Sequence, residues 1–335
     1  MSDVLPEQFV FTRDEPQAVE PDASPAQPQP TGDPTSGTNF VERAIDVTLQ
    51  LGQGAFGEGG FNTVKLSGLR VSVDIHVAGA AAPTTANARI FGMTLDQMNA
   101  CSTLGLQQGG IRNNRVMIEA GTVGGQMSTV FIGRINDAYA DFRGMPEVPF
   151  VIAATVQFYE SMVPTEPTSF SGAVDVATLM ASLAQRSNLL FENHGVDVKL
   201  HDSYFPGTIG QQIDAVAAHA NIGYTIETGW LIIWPKGGSR GGGDQVPTIT
   251  PTSGLIGYPS YTSTGLVFDA VYDPSVAAGK LVKVESPLKG GSGTFRVATL
   301  DYALDAQVPG GNWMMTIQAT ATGETLAALT QAQAG

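Results

Sequence analysis

Over most of the chain, apolar residues recur at every second position. Ala44–Leu51 alternates through Ile45, Val47, Leu49 and Leu51, and Leu69–Val77 does the same through Leu69, Val71, Val73, Ile75 and Val77. Such alternation predicts strands with one buried face. Ala88–Phe91, Arg115–Glu119, Thr129–Asn136 and Phe150–Tyr159 read the same way, the last as the longest strand. Thr94–Asn99 is the one helical stretch of this half, with Thr94 as its cap. A second strand-rich stretch follows later: Val246–Ile249, Thr264–Tyr272, Lys280–Glu285, Gly293–Leu300 and Trp313–Ala319. Asp273-Pro274 and Pro309-Gly310-Gly311 mark turns there. Many strands at short spacing with Gly-rich turns predict a barrel or a sandwich.

Between these stretches the period lengthens. In Ser171–Lys236, Val176, Leu179, Met180 and Leu183 fall at helical spacing. Ser171 or Gly172 is the expected cap, with Asp175 in the first turn and Arg186 in the last. Val196–Leu200 reads as a short strand. Thr208 opens a second helix with Gln211 three residues on, the capping-box spacing, and Ile209, Ile213, Val216, Ala217 and Ala220 form its apolar face. Asn221 and Gly223 stop it. Tyr224–Glu227 and Trp230–Trp234 are strands joined at Thr228-Gly229. Trp230, Ile232 and Trp234 share one face of their strand, expected to pack on the two helices, with a sugar- or partner-binding platform as the second reading.

The fold class expected is mainly β with an α+β insert: two β-barrel-like domains flanking a small α-β-α-β-β module. The boundaries are 1–40 for an acidic Pro-rich tail, 41–165 for the first β domain and 166–236 for the module. The second β domain is 237–323, opening on the Gly-rich linker Lys236–Asp244, and 324–335 is an Ala/Gln-rich tail that forms a short helix or frays. The N-terminal tail holds seven acids against one base, Arg13, and the run PDASPAQPQPTGDP. It buries too little apolar surface to offset its ordering entropy, so alone it is expected to be extended or disordered. Phe9, Val10 and Phe11 are its apolar exception and a candidate docking point on a partner.

Charge narrows the function. The chain carries −14 overall, and −8 remains after the tail (24 acids, 16 bases). That balance disfavours nucleic-acid binding and anionic membrane surfaces. Charged residues make up only 14% of the 335, well below the usual quarter, which suits subunits with large lateral interfaces. No apolar run is long enough to span a membrane, and the N-terminus lacks a signal-peptide pattern. The expectation is a protein that is soluble when made, in a reducing compartment. Cys101, the single cysteine, excludes an intramolecular disulfide and reads as a buried small hydrophobe.

Candidate chemistry is sparse. Gly52-Gln53-Gly54-Ala55-Phe56-Gly57 matches G-x-G-x-x-G after a strand, yet no helix signal follows and the companion kinase motifs are missing, so it reads as a loop between strands. His194 and His201 could approach each other, but no carboxylate or thiolate spacing around them makes a metal site. His219 lies near the end of the second helix, where an imidazolium suits the dipole; structural or solvated roles are expected for these and for His76. Asp301 and Asp305, like Asp137 and Asp141, are four apart and not expected to pair. No nucleophile elbow occurs. No catalytic, cofactor-binding or metal residue is assigned, and no cofactor.

Three segments carry a resemblance. The first is ARIFGMTLDQMNACSTLG (Ala88–Gly105) with NRVMIEAG (Asn114–Gly121) and VFIGRINDAYADF (Val130–Phe142). The second is IGYTIETGWLIIWPKG (Ile222–Gly237). The third runs from Gly254 to Ser286 and from Gly293 to Thr320. In their order and spacing they resemble the baseplate hub proteins of contractile-tailed bacteriophages, which are related to the N-terminal part of type VI secretion spike proteins. The resemblance spans roughly Asn87–Ala319 and leaves the tail outside it. It implies a non-enzymatic virion protein of the tail baseplate, assembled in the host cytoplasm. As a homotrimer with six quasi-equivalent barrels, it would adapt a six-fold tail tube to a three-fold spike. Its partners would be itself, the tube protein, the spike protein and other baseplate and tape-measure proteins, with genome DNA passing through an acidic channel unbound. Two other readings stand: a distal tail or tube-initiator ring, and a carbohydrate-binding or cell-wall-cleaving tail protein.

Overall fold

A computed structural model describes residues 41–57, 60–79, 82–103, 113–156, 165–241, 246–288, 290–323 and 325. The expectations for the N-terminal tail, Phe9–Phe11 included, and for 324–335 apart from Thr325, lie outside the described residues.

The first half contains β1 (Arg43–Gln50), β2 (Thr63–Leu66), β3 (Arg70–Val77), β4 (Thr85–Phe91), α1 (Leu95–Cys101), β5 (Arg115–Thr122), β6 (Met127–Ala140) and β7 (Pro149–Thr155). The insert follows with β8 (Thr168–Ser169), β9 (Ala173–Asp175), α2 (Val176–Arg186), β10 (Leu190–Asn193), β11 (Lys199–His201) and β12 (Tyr204–Phe205). It ends with α3 (Ile209–Ala220), β13 (Ile222–Glu227) and β14 (Trp230–Pro235). The second half has β15 (Thr248–Ile249), β16 (Leu255–Tyr261), β17 (Gly265–Val271), β18 (Leu281–Val284), β19 (Gly293–Ala306) and β20 (Trp313–Ala321). The chain is thus mainly β with a helical insert, as expected.

Strands from both sides of the insert join one 13-stranded sheet, in the order β16-β17-β20-β19-β3-β4-β7-β6-β5-β1-β2, with β18 and β15 branching from β19. The joint is β19. Its Leu300–Ala306 stretch pairs antiparallel with Val77–Val71 of β3, its Gly293–Arg296 stretch pairs with β18, and β20 runs along its other edge. A register shift between Val297 and Thr299 lets one strand serve both neighbours. Alternation sets which side is buried. Val71, Val73, Ile75 and Val77 meet Leu300, Tyr302, Leu304 and Ala306 in a core cluster that runs through both halves. Each such aliphatic side chain contributes roughly 1.5–3 kcal/mol by leaving water.

The insert has its own core, built from α2, α3 and the inner face of the sheet β10-β14-β13. Thr208 and Gln211 form the expected capping box on α3, and Asn221 ends it in the left-handed region at φ 53°. The α2 cap is a correction: Asp175, not Ser171 or Gly172, accepts from Thr178 N, so the acid is the cap rather than a first-turn residue.

Other strands differ from expectation. Of the expected Phe150–Tyr159 strand, β7 covers the part to Thr155 and residues 157–159 lie outside the described residues; the longest described strands are β6 and β19 at 14 residues each. In place of Val196–Leu200 the strand is Lys199–His201, because Asn193 holds Val196 in a turn by bonding both its N–H and its C=O. β10 and β16 were not foreseen. Part of the Lys236–Asp244 linker is pinned rather than free: Arg240 N donates to Gly279 O at 2.8 Å, and the Arg240 guanidinium pairs with Glu227. The Gly52–Gly57 stretch is a loop between β1 and β2, closed by a bridge between Phe56 and Phe61, and no helix follows it.

Candidate functional site: an assembly surface

The described features with most capacity for function are surfaces for contact. Among the described residues the strand path ends at β16 on one side and at β2 on the other, and each is paired on one edge only. Open edges present unpaired N–H and C=O groups that accept a further strand. β16 carries exposed Ile256 and Tyr258, and Tyr261 is also exposed. Gly257 and the register shift between Ile256 and Ser260 turn these side chains outward. At the other end, exposed Phe61 precedes β2. Lys65 of β2 is held by Asp46 at 2.9 Å and Glu119 at 3.1 Å, an arrangement that raises its pKa, chiefly through the Asp46 hydrogen bond.

The seam between insert and β layer centres on Trp234. The inner face of β14 toward the helices is Leu231 and Ile233, which belong to the insert core. The opposite face, with Trp234, turns toward the second half. There a Cβ at residue 279 would come within 2.8 Å of the Trp234 ring, so only glycine (φ 81°) admits this approach. The expected packing of the Trp face on the two helices is therefore corrected: both faces of this small sheet are covered, and alternation does not say which cover lies where. Trp230, at the strand start, is partly exposed. Arg296 Nη1 donates to Gly238 O at 2.5 Å and adds to the seam. Beside it, burial raises the Tyr302 phenol's pKa well above its usual value, with the Glu227 charge adding to the effect.

A second seam joins the halves near the chain's described start. Gln307 Nε2 donates to Glu42 at 2.6 Å, and Arg43 lies 5.4 Å over the Trp313 ring. A cleft of about 830 Å3 opens there.

The residues considered for chemistry are dispersed. His76 bonds Asp301 across the exposed face of β3 and β19. Asp301 and Asp305 both lie on β19, and Asp305 instead accepts from Asn312 N at 2.7 Å. Asp137 accepts from Thr103 at 2.9 Å, while Asp141 caps a 3-10 turn, where the Arg143 N–H and guanidinium hold its carboxyl below the usual range. His194 accepts from Gly241 N and lies 3.2 Å from Glu192 without the alignment of a hydrogen bond. His201 sits on the β9–β11 ladder, and His219 packs edge-on to Phe205 at 5.5 Å. Cys101 is buried, which pushes its thiol up to about 12. Among the described residues no three His, Cys, Asp or Glu side chains gather as a metal site, and no helix is long and apolar enough to cross a membrane.

Comparison with known proteins supplies the family. The model of the baseplate hub gp41 family matches residues 44–309, most of the chain. The chain belongs to this family. It is therefore a structural component of a phage tail baseplate. Three solved structures share its fold at low identity. A tail protein from Neisseria meningitidis MC58 is 11% identical, with TM-score 0.57 over 84% of this chain and 97% of that one. The 43 kDa tail protein of prophage MuSo2 from Shewanella oneidensis is 9% identical, with TM-score 0.52 over 84% and 99%. The E. coli c3393 protein is 10% identical, with TM-score 0.53 over 83% and 77%. It is described as a type VI secretion component similar to the T4 tail proteins gp27 and gp5. No curated protein matches in sequence.

Proposed function

We propose that three copies of this baseplate hub chain form a ring in which each contributes two barrel-like β units, six in all. Such a ring adapts a six-fold tail tube to a three-fold spike and surrounds the genome's path. The observation that carries this is the double β architecture: strands on either side of the insert build two halves around the shared β3–β19 ladder. The sheet's open ends support self-association, because β16 and β2 lie at opposite ends of the strand path, so pairing one to the other between copies is head-to-tail, the arrangement that gives a ring when its rotation closes. Asp74, Asp269, Asp301 and Asp305 sit on strand faces turned away from the core and are candidates for the wall of a DNA-repelling channel. The partners are the tube protein, the spike protein and other baseplate or tape-measure proteins, and the role is non-enzymatic. The test is particle averaging of the purified ring or of the tail tip. Three copies with six quasi-equivalent lobes is the expected result; six identical copies moves the protein to a tube-initiator position, and a persistent monomer overturns the ring.

A further inference from the structure

Between the insert and the second half lies a cleft of about 570 Å3. That falls in the roughly 300–1,000 Å3 range of pockets that take a small ligand or a few side chains. Trp234, Ile222 and Val297 give it apolar wall, and Lys236 and Arg296 give it positive charge. Among the described residues no carboxylate lines it. On a chain of net charge −14, a cleft with two cations and no acid is selective for an acidic occupant. The larger cleft near Trp313 has the opposite character, with Glu42 and Asp305 against Arg43.

The chain carries a segment with the complementary chemistry. Its N-terminal forty residues hold seven acids and one base, and Glu7 lies two residues before Phe9. In an extended backbone, residues 7, 9 and 11 project to one side at roughly 6.6 Å intervals, so one acid and two aromatic rings share a face. We propose that Glu7–Phe11 docks in this cleft, with Phe9 and Phe11 against Trp234 and its apolar neighbours and Glu7 toward Lys236. Twenty-nine residues lie between Phe11 and Val41, where the described chain begins. A chain of that length can span up to roughly 100 Å when fully extended, against a radius of gyration of about 20 Å for a fold of this size. The segment therefore reaches the cleft of its own chain or of an adjacent copy. Docked there, it would tie down the insert seam. The inference does not depend on the ring.

The experiment uses the full chain with paired cysteines, Cys101 being buried and inert. Val10→Cys is combined with Thr299→Cys, which lines the cleft, or with Gln307→Cys, which lines the other. Disulfide formation is followed on non-reducing gels with mass mapping. The expected result is formation at least about tenfold faster with residue 299, since docking raises one thiol's local concentration at the other. Glu7→Lys or Lys236→Glu should each slow it several-fold, and the two together should restore it. Equal rates at 299 and 307, a faster reaction at 307, or a charge swap that fails to restore overturns the proposal. So does photo-crosslinking from position 9 that captures a different tail protein and leaves the cleft unlabelled.

Discussion

The insert and the β layer are held by different kinds of information. In the insert, stop and start signals are local: Thr208 and Gln211 cap α3 within one turn, Asp175 caps α2, and Thr228-Gly229, both at positive φ, turn β13 into β14. Its core draws on a stretch of about 65 residues. In the β layer the central ladder joins Val71–Val77 to Leu300–Ala306, more than 220 residues away. Nothing local specifies that pairing; it exists because both strands bury one face in the same core. The difference predicts that the layer unfolds as a unit across its two halves, whereas the insert loosens by itself.

The largest effect should come from breaking the joint. Leu304 is buried on β19 between β3 and β20. Leu304→Asp places an unpaired charge there and should cost more than about 4 kcal/mol, leaving little soluble folded protein. A circular-dichroism melt with hydrogen exchange checks it. Loss of protection in strands of both halves is the expected outcome, and loss in one half alone would mean the halves are independent domains.

Trp234→Ala tests the other side of the comparison. Removing a buried aromatic costs about 3–5 kcal/mol. Here the loss should appear as undocking, with faster exchange of the Arg240 and Gly279 amides while the β3–β19 amides stay protected. Equal deprotection everywhere would show that the insert and the layer form one cooperative unit. Thr208→Ala is smaller, about 1 kcal/mol, and should be confined to α3 and its neighbours by the same exchange measurement.

Legibility in the sequence follows the same division. The insert's helices were readable because cap and period agree at Thr208, Ile209, Ile213 and Val216. The β layer's strands were readable one by one but not their neighbours, since alternation carries no address. β16 is not legible in the sequence because Gly257 and Pro259 interrupt its pattern, and those residues suit an edge strand. β19 runs six residues beyond the expected end at Leu300, and Tyr302 and Leu304 continue its alternation against Asp301, Ala303 and Asp305. The candidate surface was less legible still. Exposed apolar side chains on β16 and charge in the insert cleft are properties of the assembled fold, and Lys236 and Arg296 are sixty residues apart in the chain.

The finest discrimination comes from alkaline pH. Tyr224 lies in the insert and Tyr302 in the β layer, and burial first of all raises both phenols' pKa values, with the Asp214 hydrogen bond adding at Tyr224 and the Glu227 charge at Tyr302. Tyr272, beside Tyr302, is pushed up to about 12. A phenol whose folded pKa lies above its unfolded value of about 10 gives its full stabilising contribution below pH 10, and loses it as pH rises from there toward the folded value. Stability should thus fall above about pH 10, with a slope that each tyrosine steepens. Tyr302→Phe should change little at pH 7, because its hydroxyl reaches Val276 O only at 3.5 Å, yet flatten the alkaline loss seen by β-layer amides. Tyr224→Phe should flatten it for the insert amides, and at neutral pH should cost more than Tyr302→Phe because Asp214 loses its hydroxyl donor. If both substitutions flatten both sets of amides alike, the insert and the layer unfold together even under alkaline stress, and the independence inferred from their separate cores is wrong.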